Sequence, residues 1–209
     1  MLIEPQILLL FATAALALNL TPGADMLFCL GQGVRSGPRA GVAASFGIAT
    51  GSLIHTLLAA LGLAALLKAH PTAFEVLRWA GVAYLVWLAL QAFRQPLGSL
   101  RPEAVPPGSA LRAWRDGIVV NLLNPKVAVF VLAFLPQFVD PARGSAFLQF
   151  LILGAILNLG GTLVNGLVGG FAGGLGRLLA TNRRIAAAFK AATGVIFLGL
   201  AARLATDSR

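Results

Sequence analysis

Two oppositely charged side chains lie deep inside apolar runs, each beside a proline. Asp25 follows Asn19-Leu20-Thr21-Pro22-Gly23-Ala24, and Lys126 follows Asn121-Leu122-Leu123-Asn124-Pro125. An ionisable group in such a setting is expensive to bury, so it meets a partner, lines a pathway or carries a proton. Proline within a helix removes a backbone hydrogen bond and clashes with the preceding turn. In hydrocarbon the freed backbone groups are tolerated only when buried in protein or facing a wet cavity. Thr21-Pro22 and Asn124-Pro125 each place an N-cap residue before a proline suited to the first helical position. Both segments therefore predict a second half-helix whose N-terminal amides point into the protein, where they bind anionic groups such as a carboxylate. The candidate binding set is Asn19, Thr21, Pro22, Gly23, Asp25, Asn121, Asn124, Pro125 and Lys126.

Each of these residues also has a plainer reading. A lone proline break serves as an architectural kink, but one break in each half of a chain, each with Asn and a charge beside it, points to a site. The spacing differs between them, three residues from Asn19 to Pro22 and four from Asn121 to Pro125, so the internal match is loose. Asp25 suits the first turn of a helix as a simple cap. Lys126 lies where its own half-helix dipole disfavours a cation, so it either pairs with Asp25 across the breaks or holds a substrate carboxylate. His55, with Ser52 and Thr56, is a candidate proton carrier alongside Asp25, although a single helical histidine is more often a packed, hydrogen-bonded one. Asn158 and Asn165 share one face, to line a cavity or to bond across helices. Tyr84 and Trp87 read as interfacial anchors.

The elements that hold these residues follow from composition. Of 209 residues, 58 % are hydrophobic and 11 % charged, outside the range of soluble domains and of disordered chains. The net charge of +9 is scattered between apolar stretches, not gathered in a stripe, so nucleic acid is not an expected partner. Cys29 is the single cysteine, which excludes an internal disulfide and a thiolate metal cluster; no metal or other cofactor is expected. Apolar stretches predict six spans, at about 5–34, 40–67, 73–93, 113–138, 145–171 and 186–204. The Met1–Pro5 start has no basic region, so the first span is expected to be retained.

A proline-rich linker at 94–112 divides one transmembrane domain, 1–209, into halves 1–93 and 113–209. Three spans per half is an odd number, so the fold class is an all-α integral membrane protein built as two inverted three-helix repeats, with helices one and four broken. One face collects Arg35, Arg39, Arg94, Arg101, Arg112, Arg115, Arg177, Arg183, Arg184 and Lys190; the other has Lys68, Arg78, Arg143, Arg203 and Arg209. That bias puts the first face in the cytoplasm and both termini outside. The glycine spacings 33/37/41, 47/51 and 170/174 fit contacts within the chain at least as well as a homodimer.

A membrane enzyme needs a nucleophile–base pair, paired carboxylates or a metal cluster, and none is evident. A metal-ion or other small-metabolite carrier is the other rival, but ion carriers usually show several intramembrane acids, His or Met against the one clear acid here.

With these motifs the sequence resembles the LysE/RhtB family of bacterial amino-acid exporters, along the whole chain. The resemblance rests on Thr21-Pro22-Gly23-Ala24-Asp25, on Gly47 and Gly51 followed by His55, and on Asn121-Leu122-Leu123-Asn124-Pro125-Lys126 before Pro136-Gln137-Phe138. The family usually has a second proline where Ala24 stands. The resemblance implies a multi-pass protein of the bacterial inner membrane that exports amino acids or close derivatives by proton antiport, with the lipid bilayer and a small-molecule amino acid as its partners. A zwitterion would set its carboxylate on half-helix N-termini near Lys126 and the Asn side chains, and its ammonium against Asp25. The lone acid argues against a dibasic substrate and for small neutral ones of the homoserine, threonine or leucine kind.

Overall fold

The computed structural model describes residues 2–69, 71–94, 108–172 and 183–206, which form helices and short connections with no strand among them. Most of the expected linker, including Pro96, Arg101, Pro102, Pro106 and Pro107, lies outside the described residues, as do His70, Gly174, Arg177 and Arg209. Helix α1 runs Pro5–Leu20 and α2 Ala24–Ser36; α3 is Pro38–Ala69, α4 Pro71–Arg94 and α5 Ala110–Leu122. Helix α6, Pro125–Val129, continues as a π-helical turn at Phe130–Phe134 and a 3-10 turn at Leu135–Phe138. Helices α7, Ala146–Gly170, and α8, Arg183–Thr206, complete the chain.

Proline opens α1, α3, α4 and α6, where its missing N–H costs nothing. Ser109 and Ser145 cap α5 and α7, accepting hydrogen bonds from Arg112 N and Leu148 N. Gly37, at φ 86°, turns the chain between α2 and α3. At the opposite end Arg143 bridges Glu4, just before α1, and Asp140 at 3.2 Å. Pro22 and Pro125, in the first and fourth expected spans, break them: α1 meets α2 at 51°, and α5 meets the α6 segment at 54°. By length and composition, Pro38–Gly62 and Ala146–Gly170 can cross a membrane alone, and each bent pair can make one further span.

Large apolar side chains on the outer surface are exposed, among them Leu9 at 71 % and Leu159 at 73 %, as lipid-facing residues are. Inside, Phe11, Phe130, Phe134 and Phe138 form an aromatic column between α1 and the α6 segment, with ring centroids 4.7–6.1 Å apart. Helix α3 packs against both α5 and α7, and α4 against α8.

Glycine sets how closely these helices approach. A Cβ at Gly33 or Gly41 would overlap the Gly169 carbonyl, and one at Gly47 would overlap the Trp114 carbonyl. Gly170 lies against Val42. The small-residue spacings at these positions serve contacts within the chain. Gly33→Val should therefore destabilise the purified protein by at least about 1–3 kcal/mol. Gly62→Ala, where a Cβ meets nothing within 4 Å, should melt like the parent or slightly above it. Equal melting of Gly33→Val and the parent in detergent would refute the close backbone contact.

Candidate functional site

The two breaks meet. Helix α1 ends at Leu20, and the Thr21 hydroxyl donates back to Ala17 O at 2.6 Å. Thr21 is thus the C-terminal residue of the first half-helix, not the N-cap of the second as its place before Pro22 suggested. Pro22 and extended Gly23 form the break itself, and α2 begins at Ala24 with Gly23 as N-cap. The hydroxyl loses its capping role because Pro22 and Gly23 insert two extended residues before the next helical turn. Break two behaves as its sequence predicts: Asn124 Oδ1 accepts from Lys126 N at 3.0 Å, with Pro125 opening α6.

Lys126 does not form the expected ion pair with Asp25. Its Nζ donates to Leu18 O at 2.9 Å, which Pro22 deprives of its helical N–H and which otherwise accepts only from Thr21 N at 3.2 Å, and to Thr21 O at 2.7 Å. The expected choice between Asp25 and a substrate carboxylate left out the negative end of a neighbouring half-helix, which attracts a cation. Among the described residues no ion pair joins Lys126 to Asp25. Gly23 makes room for this clamp, since a Cβ there would lie 3.3 Å from Lys126 Nζ. The Lys126 carbonyl in turn accepts from Tyr84 OH at 2.6 Å. Tyr84 is therefore a buried strut from α4, and not an interfacial anchor; its ring stacks on Trp87, which is 46 % exposed.

Asp25 sits at the positive end of α2, where a carboxylate is favoured. Its Oδ2 accepts from Asn121 Nδ2 at 2.9 Å, joining α2 to the last turn of α5. His55 Nε2 lies 3.3 Å from Asn121 O, so the imidazole backs the Asn121 backbone from α3. Asn19 Nδ2 donates to Leu157 O at 3.0 Å over the notch made by Gly160 and Gly161, fixing α1 to α7.

Three polar atoms at this junction are buried short of full hydrogen-bond geometry: Asn121 Oδ1, and Asp25 Oδ1 and Asn124 Nδ2, whose side chains face each other. Leaving each unmet costs about 1–3 kcal/mol, which is tolerated where a ligand completes them. Asp25, Asn121, Lys126, Asn19 and Thr21 line one cavity, closed on its far side by Asn158, Thr162 and Asn165 of α7. Its free space is about 30 Å³, room for only one or two waters, so a larger ligand requires the helices to part. Of the α7 set, Thr162 escaped the sequence reading; its position four residues after Asn158 and three before Asn165 places it on the same face.

Comparison with known proteins decides what kind of molecule carries this junction. The LysE type translocator family matches residues 16–208. The chain belongs to this family. Among relatives of this translocator, an uncharacterised membrane protein of Pseudomonas aeruginosa is 34 % identical over 192 residues, spanning 90 % of this chain and 89 % of the relative. A homoserine/homoserine lactone efflux protein of Salmonella typhimurium is 38 % identical over 137 residues, 66 % of each chain. A leucine efflux protein of Enterobacter is 30 % identical over 199 residues, 94 % of this chain and 93 % of the relative. No solved structure matches the chain. This multi-pass membrane translocator is thus a transporter and not an enzyme.

Removing the Lys126 clamp strands Thr21 O, leaves Leu18 O only its 3.2 Å bond from Thr21 N, and frees both breaks. Lys126→Met should cost about 3 kcal/mol or more of stability, and Tyr84→Phe about 1 kcal/mol. Thermal unfolding of the purified translocator checks the order; a smaller loss for Lys126→Met than for Tyr84→Phe would remove the clamp from its structural role.

Proposed function

We propose that this translocator exports small neutral amino acids or close derivatives from the bacterial cytoplasm across the inner membrane, by proton antiport. The three incompletely bonded atoms where the broken helices meet carry this reading. Asp25 Oδ1 and Asn121 Oδ1 are acceptors placed for an α-ammonium; Asn124 Nδ2, beside Asp25 and off the cavity lining, becomes a donor for a carboxylate only when the helices part. Lys126 spends two N–H groups on Leu18 and Thr21 and keeps a third for the same carboxylate. Thr21, Pro22, Gly23 and Pro125 shape the site; Asn19 braces it.

Antiport follows from exclusive occupancy. A proton and a substrate ammonium compete for one Asp25 carboxylate, so protonation on one side discharges the amino acid bound from the other. His55, behind Asn121, is the second candidate on the proton's route. The names of the relatives support the substrate class, homoserine or its lactone in one and leucine in the other. Asp25 is the one acid among the described lining residues, which disfavours a dibasic substrate.

The architecture proposed is six spans as two inverted three-span repeats, spans one and four being the bent pairs. In support, α3 packs on α7 and α4 on α8, so the second and third helices of one half meet their counterparts in the other. A homodimer is not needed to complete the site.

Inverted membrane vesicles with an imposed proton gradient test the coupling, with labelled homoserine, threonine and leucine as probes. The parent should accumulate at least one of them. Asp25→Asn should lose gradient-driven accumulation by about 100-fold, the scale of an essential charged contact. Undiminished concentrative transport by Asp25→Asn would remove Asp25 from the coupling.

A further inference from the structure

The wall of the cavity opposite the broken helices carries polarity that the export reading leaves unused. Asn165 is 7 % exposed and lines the cavity, yet its side chain makes no hydrogen bond among the described residues. Ser52, 6 % exposed on α3, presents its hydroxyl to the same cavity, also without a side-chain partner there. Thr162 donates to Asn158 O at 2.7 Å and retains acceptor capacity, while Asn158 Nδ2 is committed to Ala49 O at 2.8 Å. The remaining lining between the poles is apolar, with Met26, Ile48 and Leu157. A cavity adapted to an aliphatic side chain has no use for an unmet amide on its α7 wall and an unmet hydroxyl on its α3 wall, because an apolar ligand would leave both so.

We infer that Asn165 and Ser52 determine specificity, selecting a neutral amino acid whose side chain bears a hydroxyl, of homoserine or threonine size, over an aliphatic one. This rests on the export reading, with the α-amino and α-carboxyl groups at the Asp25 pole and the side chain reaching across toward α7. The side-chain hydroxyl donates to the Asn165 carbonyl oxygen and accepts from the Ser52 hydroxyl. A site built to meet a substrate hydroxyl rejects the analogue lacking it, whereas an apolar pocket rejects an added hydroxyl only weakly.

Homoserine and 2-aminobutyrate differ by that hydroxyl alone, which makes them the probes. In gradient-energised inverted vesicles the parent should transport homoserine at least about tenfold faster than 2-aminobutyrate or leucine. Asn165→Leu should collapse or invert that ratio, and Ser52→Ala should lower it less. Equal rates for homoserine and 2-aminobutyrate in the parent would overturn the inference and leave the export reading standing. A parent ratio that persists undiminished in Asn165→Leu would overturn the role of Asn165. Should Asn165→Leu fail to reach the membrane, the parent and Ser52→Ala ratios decide. Transport of no amino acid by the parent would sink the export reading and this inference together.

Discussion

A helix broken inside an apolar environment exposes carbonyls that neither water nor a following turn can satisfy. At the end of α1, Leu18 O loses its helical donor to Pro22 and keeps only a 3.2 Å bond from Thr21 N, and the ammonium of Lys126 meets both it and Thr21 O. Break one is stable because break two supplies its counter-charge. Break two is held because Lys126 is anchored at both ends, through Nζ to α1 and through its carbonyl to Tyr84 on α4. With that clamp in place, Asn121 reaches Asp25, and the incompletely bonded atoms of Asp25, Asn121 and Asn124 gather at one junction. The clamp thus sets the geometry of everything proposed to touch substrate.

The electrostatics follow a single rule applied twice. Each buried charge rests at the oppositely signed end of a half-helix, Asp25 at the start of α2 and Lys126 at the end of α1. The two charges also attract one another across the junction, yet no ion pair joins them directly, and one oxygen of Asp25 faces only the Asn124 amide. Had the two paired directly, the ammonium of Lys126 would have occupied the place left for a substrate ammonium. Dipole compensation is what lets a charged residue be buried and still have capacity to bind.

Much of this was legible in the sequence. The prolines at 22 and 125 located both breaks, and Asn124-Pro125 correctly predicted its own cap, because these signals act within a few residues. Thr21 misled for a physical reason: a hydroxyl before proline suits a helix start, yet equally well bonds back to the turn behind it. The partners of Lys126 and Tyr84 were not legible at all. Both depend on which helix end lies opposite, and backbone carbonyls carry no residue-type signature. Asn158 and Asn165 were placed on one face by spacing, but only the packing of α3 against α7 shows that this face looks into the cavity.

At Gly33, Gly41 and Gly169 three helices touch main chain to main chain, with almost no side chain between them. Most helix interfaces interlock through knobs that must change rotamer before the surfaces can move, and each such change carries an entropic and steric barrier. A junction without knobs has nothing to unlatch. What keys α2 in place is therefore the flanking packing, Met26 and Leu30 against Val164 and Val168 of α7, and not the glycine contact itself.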